Sequence, residues 1–327
     1  IKIGKQFEVF QVRGIDVALP RREQQVGTGH RDLQTECDPD LSFEDAFRRR
    51  DFTINAIGLD PLTDEVIDLY GGVQDIQGSL LRMVDPKTFA DDPLRPLRAA
   101  QFAGRFGFVI EPETLAFART VDMTSLPLTR IGEEWHKLLT LSEKPSVGLQ
   151  AMLQIGVIKQ LHPKLEAVVS DPTMLELMDR AATALDQNEL SHIEIADRLL
   201  MVLCSVLDPV QVRAFLNQLE INQQRVNRIL SVIGADVGKS VMSEAKIRHL
   251  SNNIYPASIK DLVWLMEIKS PGSGSELLKN AEQLGVAQSR PEPILTGDDL
   301  IELGFEESPE LGQILNHIYQ AQLDGEI

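Results

Sequence analysis

Arginine and aspartate stand among large apolar residues at two places in this chain. Arg49, Arg50 and Asp51 run into Phe52, Thr53, Ile54, Asn55, Ala56 and Ile57, and later Asp91, Asp92, Pro93 and Leu94 run into Arg95, Pro96, Leu97 and Arg98. Charged side chains are seldom buried without partners, so this interleaving points to a polar site, and a nucleoside triphosphate fits it. Guanidinium forks bind phosphate oxygens bidentately, which makes Arg50, at the end of the Arg48–Arg50 triplet, a phosphate clamp. Asp51 adjoins it. Asn55 is able to hydrogen-bond a ribose, a phosphate or its own backbone. On a helix, residues three apart drift slowly round one face, so Asp92, Arg95 and Arg98 would line one stripe. A carboxylate beside a guanidinium offers an acceptor next to a donor, matching the exocyclic amine and adjacent ring nitrogen of cytosine and adenine, whereas uracil and guanine present the reverse order. The same spacing also fits Asp92 as a helix cap and the arginines in surface i,i+3 contacts worth tenths of a kcal/mol.

These residues need elements to hold them. Residues 1 to 23 alternate with the two-residue period of strands, Phe7, Val9 and Phe10 before Arg13-Gly14 and Ile15, Val17 and Leu19 after it, which predicts a β-hairpin. Asp16 then faces away from Ile15 and Val17, either as a strand-borne catalytic carboxylate or as a solvent-facing aspartate. A polar, irregular segment is expected from Glu23 to Asp40, then a helix from Phe43 into the arginines. Glu65 to Leu69 reads as a short strand ended at Gly71-Gly72, with Val73 to Gly78 returning the chain and an α+β unit closing near Asp85. Asp92 is expected to cap a helix with Pro93 in its first position and Gly107 at its end. The remainder is helical, with breaks at Pro127, Pro145, Pro163, Pro209 and Ser270 to Gly274, the last a linker candidate.

Composition narrows the class. The 327 residues are 43% hydrophobic, enough for two or more compact domains. No apolar run approaches the roughly 20 residues of a spanning helix, so no membrane is implied. Cys37 and Cys204 stand alone, without a CxxC partner, which fits a reducing cytoplasm. His30, His136, His162, His192, His249 and His317 include no pair at metal-ligand spacing. The net charge of −17 argues against a protein that coats nucleic acid. Residues 1 to 110 carry 14 basic against 18 acidic side chains and the rest 18 against 31, so a polyanion is expected to dock near the first part.

The run from Arg49 to Ile57, then Asp68-Leu69-Tyr70-Gly71-Gly72 with Asp75-Ile76, then Asp91 to Phe108, resembles the class II tRNA nucleotidyltransferase and bacterial poly(A) polymerase family. The likeness extends from residue 1 to about 165. It returns from Leu295-Thr296-Gly297-Asp298-Asp299-Leu300 to Gln322-Leu323-Asp324-Gly325. It implies an α+β, polymerase-β-like nucleotidyltransferase head with a partial β-sheet at residues 1–88, followed by an elongated all-α arrangement: a neck at 89–165, a body at 166–270 and a tail at 271–327. It implies that Arg50 binds the triphosphate, that Asp92 and Arg95 read the base, that Arg98 holds the nucleotide from the next turn, and that Asp16 is a catalytic carboxylate beside the metal; Asp51 and Asn55 are expected among the nucleotide-binding residues. The implied reaction adds C, A or both to the 3′ end of tRNA from CTP and ATP with Mg2+, without a nucleic-acid template. A poly(A) polymerase and a non-catalytic RNA-binding module are the alternatives, and the oligomeric state is left open. Three departures matter. Asp91-Asp92 stands where the family has Glu-Asp, and Gln101 where it has a further arginine. The glycine-rich phosphate turn and Asp-x-Asp metal pair, expected upstream of Ile1, are not in the chain, which is therefore expected to be an N-terminally truncated fragment, inactive in transfer by itself. The helix Arg198 to Ser205 lacks the His-Asp dyad of relatives with a phosphohydrolase domain, so no hydrolase is expected.

Overall fold

The computed structural model describes residues 2–3, 9–25, 33–185, 189–238, 242–306 and 308–327. Phe7 and His30 lie outside them. Two compact units emerge, Ile1–Leu138 with Val147–Glu166, and Leu139–Ser146 with Ala167–Ile327.

In the first unit, β1 (Lys2–Ile3), β2 (Val9–Val12) and β3 (Ile15–Ala18) form an antiparallel sheet in that order. Arg13 and Gly14 make the β2–β3 turn, both at positive φ, +52° and +82°, the left-handed pair whose twist matches that of the flanking strands. Phe10 faces Val17 and Val12 faces Ile15, so these four share one face, while Gln11 and Asp16 share the other. The alternation thus places Asp16 as expected, but both faces are open to solvent: Ile15 is 68% and Val17 49% exposed.

The stretch expected to be irregular is a second hairpin instead, β4 (Arg21–Gln25) paired antiparallel with β5 (Leu33–Cys37). Backbone ladder bonds build it, and its strands lack the apolar alternation that would have marked them. Helix α1 (Phe43–Arg48) follows. Ser42 caps it by accepting the Asp45 N–H, with Glu44 and Asp45 in the first turn and Arg48 in the last, each complementing the helix dipole.

Phe52 is extended and wholly buried, edge-on to Phe89 at 5.9 Å and Phe102 at 5.7 Å, pairs that add about 0.5–1.5 kcal/mol each beyond burial. A single 3-10 turn at Thr53–Asn55 leads to β6 (Ile57–Leu59), which pairs antiparallel with β7 (Val66–Asp68). Helix α2 (Gly72–Gln77) packs against that turn so closely that a Cβ on Gly72 would lie 2.2 Å from the Thr53 carbonyl oxygen. Asp68 anchors the α2 entrance by accepting the Gly72 and Val73 N–H groups. Strand β8 (Leu80–Leu81), α3 (Pro86–Phe89) and α4 (Arg95–Phe106) come next, and β9 (Val109–Ile110) returns parallel to β8.

Helix α4 is buried along most of its length, and Gly107 closes it at φ +67°. Its start differs from the expected one. Leu94, not Asp92, is the capping residue, because the Asp92 carboxylate is drawn to Arg130 while also taking the Leu94 N–H. Helices α5 (Pro112–Ala118), α6 (Leu128–Leu141), α7 (Pro145–Ile155) and α8 (Val157–Leu161) follow. Gly148 on α7 approaches α4 and α6 within van der Waals limits: a Cβ there would meet Leu138 Cδ1 at 2.2 Å and the Ala100 carbonyl at 3.0 Å. The buried Trp135 indole N–H donates to His162 Nε2 at 3.1 Å.

The second unit is helical among its described residues: α9 (Glu166–Ser170), α10 (Pro172–Thr183), α11 (His192–Cys204), α12 (Pro209–Gln218), α13 (Gln223–Ile233), α14 (Glu244–Asn253), α15 (Ile259–Lys269), α16 (Ser275–Gln283), α17 (Gly297–Glu302) and α18 (Pro309–Asp324). Prolines 172, 209 and 309 each sit in a first turn behind Asp171, Asp208 and Ser308 caps. Asp197, almost wholly buried on α11, pairs with Arg225 at 2.7 Å, and Asp261 with Arg228 at 2.9 Å. Burial drives the Asp197 carboxyl above its ordinary range despite Arg225 and Arg228. Ser270 to Gly274, the linker candidate, is a tight turn in which the Glu267 carboxylate accepts the Gly272 and Gly274 N–H groups. No helix among the described residues is long and apolar enough to cross a membrane.

Candidate nucleotide-binding site

Two arginines three residues apart on α4 grip the segment that carries Arg50. Arg95, 9% exposed, donates from Nη1 to the Thr88 carbonyl at 2.6 Å and from Nη2 to the Arg49 carbonyl at 2.5 Å. Arg98 donates from Nε at 2.8 Å and from Nη2 at 2.7 Å to Oδ2 of Asp51. Its guanidinium lies over the Phe102 ring, 5.1 Å from the centroid, close enough for a cation–π contribution. The other Asp51 oxygen accepts the Phe52 N–H at 2.9 Å and Asn55 Nδ2 at 3.0 Å. Asn55 therefore bonds a neighbouring carboxylate. Arg50 itself is exposed, and among the described residues its guanidinium has no hydrogen-bond or ion-pair partner. The chain around Arg50 is thus fixed from both sides while its charged end stays available.

Asp92 stands just before α4. Arg130 donates to both its oxygens, Nη1 to Oδ1 at 3.0 Å and Nη2 to Oδ2 at 2.7 Å, the fork geometry that favours guanidinium–carboxylate pairs. Burial pushes the Asp92 carboxyl up, but the Arg130 bonds, the Leu94 N–H and the nearby Arg95 charge outweigh it and hold it below the ordinary carboxylate value. The structure therefore brings Arg95 and Arg98 onto one helix face and sets Asp92 beside its start, not on it. Asp92 and Arg95 have different protein partners.

Asp16 accepts from Gln11 Nε2 at 3.3 Å on the exposed β2–β3 face and takes no part in these bonds. Among the described residues no three His, Cys, Asp or Glu side chains converge as metal ligands. The described residues therefore do not compose a magnesium site, to which Asp16 would bring a single carboxylate. Gln101 is buried on α4. Cys204 is buried too, and burial pushes its thiol up to about 12, far from a reactive thiolate. A cavity of about 380 Å³ in the second unit, lined by Asp236, Lys246, His249 and Asn253 among others, includes none of the residues around Arg50.

Sequence reasoning missed Arg130 and Glu134. Glu134, 1% exposed on α6, lies 3.7 Å from Arg98 Nη1 and accepts from Lys137 Nζ at 2.7 Å. One signal was present. A cation in the first turn of a helix opposes the macrodipole, so Arg130, third in α6, needed a carboxylate from elsewhere.

The sequence of residues 2–82 matches the model of the Poly A polymerase head domain. Over 200 residues the chain is 37% identical to the Multifunctional CCA protein of Stenotrophomonas maltophilia (strain K279a), covering 58% of the chain and 49% of that protein. It is 38% identical over 200 residues to its counterpart in Xanthomonas campestris pv. campestris (strain B100), covering 58% and 48%. The chain thus spans about half the length of these relatives. Its fold is similar to that of the Bacillus stearothermophilus CCA-adding enzyme solved in complex with CTP (TM-score 0.68, 20% identity, 97% of this chain and 77% of that one). It also resembles the Thermotoga maritima CCA-adding enzyme complexed with tRNA (TM-score 0.57, 22% identity, 98% and 76%). Residues 2–82 are thus similar to the Poly A polymerase head domain, a 200-residue stretch is similar to the Multifunctional CCA proteins, and the fold is that of solved CCA-adding enzymes.

Proposed function

We propose that this chain serves a tRNA nucleotidyltransferase that adds C, A or both to the 3′ end of tRNA from CTP and ATP. One arrangement carries the reading: Arg95 grips the Arg49 carbonyl, leaving Arg50 uncommitted, and stands beside a half-buried Asp92. Asp92 would accept the exocyclic amine of cytosine or adenine, Arg95 would donate to the adjacent ring nitrogen, and Arg50 would meet the triphosphate. In the reaction, the tRNA 3′ hydroxyl bonds to the α-phosphorus, the bond from that phosphorus to the bridging oxygen breaks, and pyrophosphate leaves. Mg2+ belongs to the reading as the ion that stabilises attacking and leaving oxygens, with its carboxylates other than Asp16 outside the described residues. Residues 1–88 would act as head, 89–165 as neck, 166–270 as body and 271–327 as tail, at work in the cytoplasm.

Equilibrium dialysis of the chain against labelled CTP, ATP, UTP and GTP tests base selection apart from transfer. CTP and ATP are expected to bind about tenfold tighter than UTP and GTP, the low end of what a good bidentate base contact gives. Arg95→Ala is expected to remove that preference. Equal binding of all four nucleotides by the unsubstituted chain would refute the reading. Labelled CTP incorporation into tRNA lacking its 3′ end tests transfer separately from binding.

A further inference from the structure

We infer that the α17–α18 end of the second unit docks a basic amphipathic helix from a partner protein. This is independent of the nucleotide site. Residues 291–327 hold nine Asp and Glu and no Lys or Arg. Within that acidic stretch, apolar side chains face water where α17 ends: Ile301 is 42%, Leu303 70% and Phe305 49% exposed, and Ile314 on α18 is 41% exposed. Single exposed apolar residues are ordinary. Three within five residues, interleaved with Glu302 and flanked by Glu306, make an apolar patch with a charged rim, the pattern of an interaction surface. Both glutamates are exposed, and among the described residues neither has an ion-pair partner. The backbone that carries the patch is fixed. Gly304 turns at φ +91°, its N–H donates to the Ile301 carbonyl at 2.9 Å, and the Phe305 N–H donates to the Leu300 carbonyl at 3.0 Å, the paired bonds that close a helix on a left-handed residue. In such a close the side chain after the turn ordinarily folds back on the last helical turn; Leu300 is buried there, yet Phe305 stays half exposed. Three occupants fail on charge. An RNA backbone and an anionic membrane surface would each bring negative charge to a negative face. A second copy, in the two-fold arrangement of most homodimers, would set the acidic rim against itself. An added strand fails on geometry, because α17, its closing turn and α18 present no sheet edge. A helix with apolar residues on one face and Lys or Arg beside them meets both parts of this surface, apolar on apolar and cation on carboxylate.

Two synthetic peptides of about four helical turns test this, one with leucine at every third or fourth position and lysine between, the other with glutamate in place of lysine. Binding of each to the chain would be followed by fluorescence anisotropy. The lysine peptide is expected to bind at least about tenfold tighter than the glutamate peptide, and less tightly as salt is raised to about 0.3 M. Leu303→Ser combined with Phe305→Ser leaves every charge in place and is expected to weaken it about tenfold. Glu302→Lys combined with Glu306→Lys is expected to weaken it as much. Should the serine variant not fold, this second one decides, since a cation in the last turn of a helix complements its dipole. Glu176→Lys on α10 combined with Glu220→Lys after α12 makes the same change of net charge elsewhere in the unit, and is expected to alter affinity less than about twofold. Failure of the lysine peptide to bind, or equal binding of both peptides, would overturn the proposal. So would unchanged affinity in the serine variant or in Glu302→Lys with Glu306→Lys, or an equal loss in the Glu176 and Glu220 control. Weaker binding of labelled tRNA by the serine variant would give the face to RNA and overturn it as well.

Discussion

Arg130 reaches Asp92 across 38 residues of sequence, and the pair shows what single residues reveal on their own. Asp92 was legible as a residue with a task, because an aspartate among apolar neighbours needs a partner. Which partner was not legible, since helix caps and distant guanidiniums satisfy a carboxylate equally well and only the folded chain selects one. Asp16 was read correctly to its strand face, because period-two alternation fixes a side. Asp51 was legible as part of the polar site, but not its protein donors, Phe52 N–H, Asn55 and Arg98. The depressed Asp92 carboxyl has a pH consequence. A carboxyl whose folded value lies below its unfolded value of about 3.9 stabilises the fold at pH values above the unfolded value, and that stabilisation is lost as pH falls through the folded value. Asp92→Asn is therefore expected to be less stable than the unsubstituted chain at pH 7 by about 1 kcal/mol or less, given the partial exposure of the pair. Urea midpoints should converge between the two below about pH 4. A gap that widens on acidification would refute the Arg130 pairing.

Elements were legible where side chains announced them. The Arg13-Gly14 hairpin, the helix leading into the arginine triplet, the close of α4 at Gly107 and the prolines opening α6, α7 and α12 all followed from turn and capping chemistry. The β4–β5 hairpin did not, since its pairing is carried by backbone bonds between polar stretches. Close packing was also invisible. Nothing near Gly72 in sequence discloses that α2 rests on the Thr53 carbonyl. Alanine in a helix is ordinarily favoured over glycine by about 1 kcal/mol, yet here its methyl would strike backbone that cannot rotate away. Gly72→Ala is accordingly expected to destabilise the chain by roughly 1–3 kcal/mol and to weaken CTP binding through the shifted Phe52–Asn55 segment. A melting temperature equal to or above that of the unsubstituted chain would show that α2 does not need the close approach.

Across the whole molecule, local motifs around Arg50 and Arg95 carried the resemblance, and the helical second unit matched only in kind until its fold was seen. That order is physical. A site demands particular side chains at particular distances, whereas a helical bundle asks only for apolar residues at the right period, so at 20% identity the fold over 97% of the chain remains common while most residues do not. The strip formed by Phe10, Val12, Ile15 and Val17 has its own outcome at the bench. A flat ribbon of greasy side chains facing water invites the same ribbon on another molecule, so concentrated solutions of this polypeptide should scatter light more steeply than dilute ones. Exchanging Ile15 and Val17 for threonine should lower that scattering with the far-ultraviolet dichroism unchanged, and undiminished turbidity in the exchanged protein would trace the stickiness to some other surface.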